Sequence, residues 1–140
     1  MALKMTSGEL DEFIKRVFPQ VAEDFTVEDV APMEITVRLH VADRHLRPGG
    51  TVSGPSMFGL ADVSVYLAIM AMIGPKALAV TTNSSLDFMR KPASGVDLIS
   101  KCRLLKLGRV LAVGDVLLYS EGMAEPVARA TMTYSIPPKD

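Results

Sequence analysis

Residues 53–75, SGPSMFGLADVSVYLAIMAMIGP, decide the fold. Ser53 can cap a helix with its hydroxyl, and Pro55 suits the first helical turn because the N–H it lacks would have no partner there. The helix then runs to about Ile73, and Gly74-Pro75 ends it: glycine permits a left-handed cap and proline cannot continue a helix. The span 55–73 reaches transmembrane length. Asp62 near its middle would cost about 2.5 to 3.5 kcal/mol in a bilayer, and no Lys or Arg stands at its entry. A helix apolar on every side is the expected core of a fold that wraps it.

Outward from this helix, the other elements have to supply the wrapping. Thr6 with Glu9 three residues later forms a capping-box pattern, and Leu10, Phe13, Ile14 and Val17 follow at helical spacing until Pro19. Residues 24–30 read as a weak strand. Residues 33–42 read as a strong one, with Met33, Ile35, Val37, Leu39 and Val41 alternating against Glu34, Thr36, Arg38 and His40. RPGGTVSG, 47–54, is a glycine-rich loop leading into the long helix. Four strands follow Pro75, near 78–90, 96–106, 109–119 and 126–136, and their turn signals predict an antiparallel meander. The third is apolar on both faces, through Ala112, Val116 and Leu118 on one and Leu111, Val113, Leu117 and Tyr119 on the other. It needs two covers. The long helix gives one, and a second subunit is the expected source of the other, as a homodimer or a dimer of dimers.

Composition narrows the class. The 140 residues are 49% hydrophobic and 22% charged, enough apolar material for one domain spanning 1–140 with its own core. Fifteen Lys and Arg against sixteen Asp and Glu give a formal charge of -1, without the basic excess that nucleic acid requires. A single cysteine, Cys102, forms no internal disulfide, and two histidines without a second thiol make none of the usual zinc sets. The charged start of the chain does not read as a secretory signal, so the expectation is a cytoplasmic protein without metal and not bound to a membrane. The pattern as a whole predicts an α+β fold.

Three segments carry a family resemblance. HLRPGGTVSGPSMFGLAD (45–62), AVTTNSSLDFMRKP (79–92) and LGRVLAVGDVLLY (107–119) resemble the hotdog thioesterase superfamily, specifically the branch that includes phenylacetyl-CoA thioesterases. The resemblance runs from about Asp24 to Ile136, and its most specific element is Gly54 followed eight residues later by Asp62. It implies a hotdog fold, a curved antiparallel sheet around one long central helix with a short N-terminal helix added. It also implies hydrolysis of an acyl-CoA to coenzyme A and a free carboxylic acid, with no cofactor.

Asp62 is the only ionisable side chain between Arg47 and Lys76 apart from the Tyr66 phenol. A carboxylate in such a helix is costly unless hydroxyls and backbone reward it, and a buried, hydrogen-bonded Asp is one reading of the residues alone. The resemblance implies the other, in which Asp62 acts as general base on water or as nucleophile on the thioester. Gly54, at the positive end of the helix, would then offer its N–H to the developing oxyanion. Many relatives have His-Gly-Gly where this chain has Ser53-Gly54-Pro55, and Asn where it has Arg47. With no N–H on Pro55, only Gly54 and the Ser53 or Arg47 side chains are left to polarise a carbonyl. Thr81 matches the position that helps hold the attacking water, and strand alternation predicts that Asn83 and Ser85 share its face. Arg90, Lys91 and Arg109 are candidate partners for the phosphates of coenzyme A. His45 approaches the site from the loop, but a turn histidine is the plainer reading, and Cys102 reads as core. The altered Ser-Gly-Pro motif motivates an alternative, a non-catalytic acyl-CoA-binding or regulatory protein. A hydratase would pair its carboxylate with a histidine, and neither His40 nor His45 lies on the helix of Asp62.

Overall fold

The structure is a computed structural model that describes residues 2–138. Helix α1 spans Ser7–Val17 and α2 spans Gly54–Ile73; the strands are β1 Phe25–Ala31, β2 Glu34–Leu39, β3 Val80–Phe88, β4 Leu98–Leu107, β5 Leu111–Ser120 and β6 Pro126–Ser135. The capping box of α1 forms as the sequence predicts: the Glu9 N–H donates to the Thr6 hydroxyl at 3.1 Å, and the Thr6 N–H donates to the Glu9 carboxylate at 2.9 Å. Its buried face is Leu10, Phe13 and Ile14. At the far end of α2, Gly74 has a φ of 87°, a value that favours glycine, and its N–H closes the last turn on the Met70 carbonyl.

All strand pairs are antiparallel, in the order β1-β2-β4-β5-β6-β3. The order corrects the expected meander. β4 is paired on one edge with β2 and on the other with β5, so no edge of it is left for β3. The chain therefore crosses from β3 to β4 through residues 89–97, and β3 pairs with β6 at the opposite margin of the sheet.

The sheet curves around α2. Twelve of its twenty residues are buried, so although α2 is long and apolar enough to cross a membrane, its apolar surface is used as a core. Ala112, Gly114, Val116 and Leu118 of β5 point at it. Gly114 is where helix and strand approach most closely. A Cβ there would lie 2.9 and 3.0 Å from the two methyls of Val65, closer than any side chain tolerates. The sheet leaves one stripe of α2 open, along Pro55, Phe58, Gly59, Asp62 and Tyr66, which recur at three- and four-residue steps. The single charge of the helix stands on that stripe. On the convex face of the sheet Leu105, Leu111 and Leu117 stay exposed within one chain.

Because Val65 is stiff and fully buried, Gly114→Ala should lower stability by about 1 to 3 kcal/mol. Adding Val65→Ala should recover part of that loss, because the added methyl then has room. Urea unfolding of both single variants and the double variant measures the coupling. Strictly additive losses would show that the close approach does not limit packing.

Candidate active site

Asp62 and Thr81 meet, and Tyr134 joins them. The Thr81 hydroxyl donates to Asp62 Oδ1 at 2.5 Å, and the Tyr134 hydroxyl lies 2.9 Å from the same oxygen and 3.0 Å from the Asp62 carbonyl. Asp62 Oδ2 has no hydrogen-bond partner among the described residues. One carboxylate oxygen is thus clamped by two hydroxyls from two strands, which fixes the side chain, and the other is left to act on something else. Burial, followed by the negative charge of Asp62, pushes the Tyr134 phenol well above the usual tyrosine range. It therefore stays a hydrogen-bond donor at neutral pH.

The register of β3 explains why Thr81 reaches Asp62 and its neighbours do not. A bulge at Thr82 interrupts the pairing: Thr81 stands opposite Tyr134, but Asn83 stands opposite Thr133. Ser84, Leu86 and Phe88 pair with Met132, Ala130 and Ala128, whose side chains are buried on the concave face. Asn83 and Ser85 therefore point outward, correcting the expectation that they share a face with Thr81. One extra residue reverses the alternation.

Gly54 is the first residue of α2. The Ser56 N–H donates to the Ser53 hydroxyl at 3.3 Å, the Met57 N–H donates to the Ser53 carbonyl at 3.0 Å, and Pro55 has no N–H. This leaves the Gly54 N–H as the free amide of the first turn. The Ser53 hydroxyl in turn donates to Ser56 Oγ at 3.1 Å, so its proton is engaged within the cap. Along the helix, Gly54 and Asp62 are about 12 Å apart, at 1.5 Å per residue. Arg47 is exposed in a tight loop, with its N–H bonded to the Thr51 carbonyl at 2.8 Å.

The basic residues are divided. Arg90 donates to the Pro126 carbonyl at 2.8 Å and to Glu125 at 2.9 Å, beside the end of β3 that adjoins Gly54. Lys91 next to it is exposed. Arg109 sits at the β4–β5 turn near Ile73 and Ser135, at the opposite end of the sheet. The length of β3, about 26 Å for eight steps, separates the two groups, so one chain does not gather Arg90 and Arg109 into a single anion site.

Both histidines have local duties. His45 is buried; the Ala42 N–H donates to its Nδ1 at 2.9 Å, and Nε2 lies 3.2 Å from Asp24. Its backbone carbonyl accepts the Ser53 N–H at 2.8 Å, so the residue ties the loop to the start of α2. Burial works to raise the Asp24 carboxyl, but contacts with Arg44 and His45 outweigh it and hold the group below its usual range. His40 bonds the Thr26 hydroxyl at 2.6 Å. Burial pushes the Cys102 thiol up to about 12, which keeps it an inert core group.

Asp62, Thr81 and Tyr134 border a cavity of about 380 Å³ that also touches Phe18, Tyr66 and Val80. Tyr134 was missed from sequence because it lies in an ordinary apolar-alternating strand. Only its distance of 72 positions from Asp62, closed by the sheet, makes it part of the site.

A six-stranded antiparallel sheet curved around one long helix, with a short helix before it, is the hotdog fold. The model of the Thioesterase superfamily matches residues 49–127, and the chain belongs to that superfamily. It is similar to a Silicibacter protein assigned as a thioesterase, 64% identical, with a TM-score of 0.93 and coverage of 99% of this chain and 96% of that one. A mutant of the phenylacetic acid degradation protein PaaI from Thermus thermophilus is 29% identical, with a TM-score of 0.73 over 85% of this chain and 99% of that one. Acyl-coenzyme A thioesterase 13 of Mus musculus is 24% identical over 116 residues, 83% of this chain and 82% of the mouse protein.

Tyr134→Phe removes a buried hydroxyl that serves both a carboxylate oxygen and a carbonyl. It should cost about 1 to 3 kcal/mol of stability in urea unfolding, with the fold retained. Wild-type stability in this variant would mean that the hydroxyl does not clamp Asp62.

Proposed function

We propose that this protein is an acyl-CoA thioesterase whose reactive group is Asp62. The observation that carries the reading is the carboxylate at the edge of an apolar cavity, with one oxygen held by Thr81 and Tyr134 and the other free. Similarity to acyl-coenzyme A thioesterase 13 supports the choice of thioester. In the reaction, Asp62 takes a proton from water as the water oxygen attacks the thioester carbonyl carbon. The carbonyl oxygen becomes an oxyanion that accepts the Gly54 N–H. Its collapse breaks the C–S bond, and the departing thiolate of coenzyme A takes up the proton. Asp62 can alternatively attack the carbon itself, giving an acyl anhydride that water then opens. Thr81, whose proton is held by Asp62, can still accept a hydrogen bond from the attacking water, while Arg47, Ser53, Arg90 and Lys91 are the candidates for holding the coenzyme A portion; Asn83, which points outward, and Arg109, at the far end of the sheet, are not candidates within the same chain. The chemistry uses no metal or redox cofactor, and we place the protein in the cytoplasm.

The working unit in this reading is at least a dimer. An acid must come within a few ångströms of a carbonyl held by the oxyanion donor, and Gly54 and Asp62 of one helix are about 12 Å apart. Two antiparallel copies related by a twofold axis would bring the start of one α2 to the middle of the other. The free edge of β3 supports such pairing: Leu78, Val80, Phe88 and Met89 are exposed along it, and an unpaired strand edge invites another chain. The exposed leucines on the convex face support a further pairing of dimers.

A second reading is favoured by the helix start, where Pro55 lacks an N–H and the Ser53 proton is engaged, leaving a single amide for an oxyanion. On that reading the protein binds acyl-CoA without turnover. Thiol release from a broad acyl-CoA panel separates the two.

Asp62→Asn should lower hydrolysis by at least a hundredfold, with folding and oligomeric state unchanged. Near wild-type thiol release from this variant would make Asp62 structural. For the shared site, Gly54→Val protomers are mixed with Asp62→Asn protomers. A Cβ at Gly54 would meet the exposed Phe88 ring at an ordinary 3.5 Å, so the valine variant is expected to fold. Heterodimers then hold one site with both lesions and one with neither, and activity should return. Inactive heterodimers, verified by tagging both chains, would refute the two-chain site.

A further inference from the structure

We infer that His45 is a positioning residue for the oxyanion donor: its ring, bare of a proton at Nδ1, locks the turn whose last carbonyl holds the Ser53 N–H, and so aims the Gly54 N–H. This rests on the thioesterase reading and adds the device that readies its helix start.

The chain enters α2 through a clamp of three links, one inside the next. The Ser53 N–H donates to the His45 carbonyl at 2.8 Å, Leu46 bridges Val52, and the Arg47 N–H donates to the Thr51 carbonyl at 2.8 Å. Beyond the innermost link lies the glycine-rich tip, where Gly49 and Gly50 take φ values of 103° and 85°. The clamp separates that tip from the helix. Its outermost link, His45 to Ser53, is the one next to Gly54.

The Ser53–Gly54 peptide is held from both sides. Its carbonyl accepts the Met57 N–H at 3.0 Å, and the N–H of Ser53 is fixed on His45. A trans peptide is planar, with its C=O and N–H opposed, so holding the Ser53 carbonyl also sets the direction of the Gly54 N–H. A donor to an oxyanion is effective when it already points to where the charge will develop. The aim of Gly54 therefore depends on how firmly His45 is held.

His45 ends a single 3₁₀ turn, Asp43–His45, whose backbone bonds run from the His45 N–H to the Ala42 carbonyl at 2.9 Å and from the Leu46 N–H to the Asp43 carbonyl at 3.0 Å. One such turn, with the poor bond geometry of its class, is a weak support. The ring supplies a third bond: the Ala42 N–H donates to Nδ1 at 2.9 Å and ties the start of the turn to its end. Nδ1 accepts that bond only without a proton, so the ring carries its proton on Nε2, 3.2 Å from Asp24. Asp24 is fixed in turn, since its carboxylate pairs with Arg44 and its backbone carbonyl accepts the His40 N–H at 2.7 Å. A phenyl ring would fill the same buried space and leave the Ala42 N–H without its acceptor.

The first measurement needs no variant. Side-chain 15N spectra of the wild type should show His45 Nδ1 bare and hydrogen-bonded, with the proton on Nε2; a proton on Nδ1 would overturn the proposal. In His45→Phe the Gly54 amide cross-peak should move from its wild-type position. Its kcat should fall at least tenfold while KM changes less than threefold, because the aim of an oxyanion donor is felt in the transition state. His45→Leu, a second variant without the acceptor, should behave the same way. His45→Asn places a side-chain oxygen where Nδ1 stands, and should return the Gly54 cross-peak to its wild-type position and restore kcat to within threefold. An unmoved Gly54 amide in both acceptor-free variants, or a loss that asparagine does not recover, would overturn the positioning role. If no thioester is hydrolysed but the ring proton and the Gly54 shifts are as stated, the positioning role stands and the hydrolytic reading fails.

Discussion

Everything in this protein depends on the need to cover α2. A twenty-residue helix with apolar side chains around nearly its whole circumference is unstable in water until another element removes that surface. A flat sheet covers one side of a helix; this sheet has to curve, and it does so with small residues where the approach is closest. Gly114 against Val65 is the tightest such point. The curvature covers most of the helix and stops at a stripe, and the stripe carries Asp62. The position of the Asp62 carboxylate is therefore a consequence of incomplete wrapping: it stands where the core ends.

That edge is also where hydrogen bonds from two strands converge. A half-buried carboxylate needs donors, and the donors to Asp62 come from β3 and β6, adjacent at the margin of the sheet. Both hydroxyls go to one oxygen. Such an arrangement fixes the orientation of the second oxygen without a histidine. The two histidines are used elsewhere, one to anchor the loop before α2 and one against Thr26. Two kinds of support are thus kept apart: a neutral hydroxyl clamp around Asp62, and an Asp24–Arg44 ion pair beside His45 under the loop that sets the start of α2.

Much of this was legible in residues 53–75 and in the alternating strands, because local rules govern them. Capping residues bracket each helix within a few positions, and period-two alternation marks the buried face of a strand whatever lies on top of it. Thr6, Glu9, Ser53 and Gly74 act as their types and positions predict. Asp62 stood out because a lone charge in an apolar helix has few explanations. The family resemblance added the chemistry, and membership of the Thioesterase superfamily accords with it.

The sequence by itself determined the elements, the central helix and the isolated carboxylate, since each follows from side-chain types within a few residues of one another. Only the tertiary structure decided which strands became neighbours and what faces Asp62. Strand order depends on competition for edges: β4 could not pair with β3 because β2 and β5 already occupied it. Alternation is reset by any extra residue, and the bulge at Thr82 sends Asn83 outward while Thr81 points in. Tyr134 enters the site across 72 positions of chain, and Arg90 and Arg109 are parted by the length of a strand that their local sequences do not reveal. Long-range pairing is settled by global packing, and no local pattern encodes it.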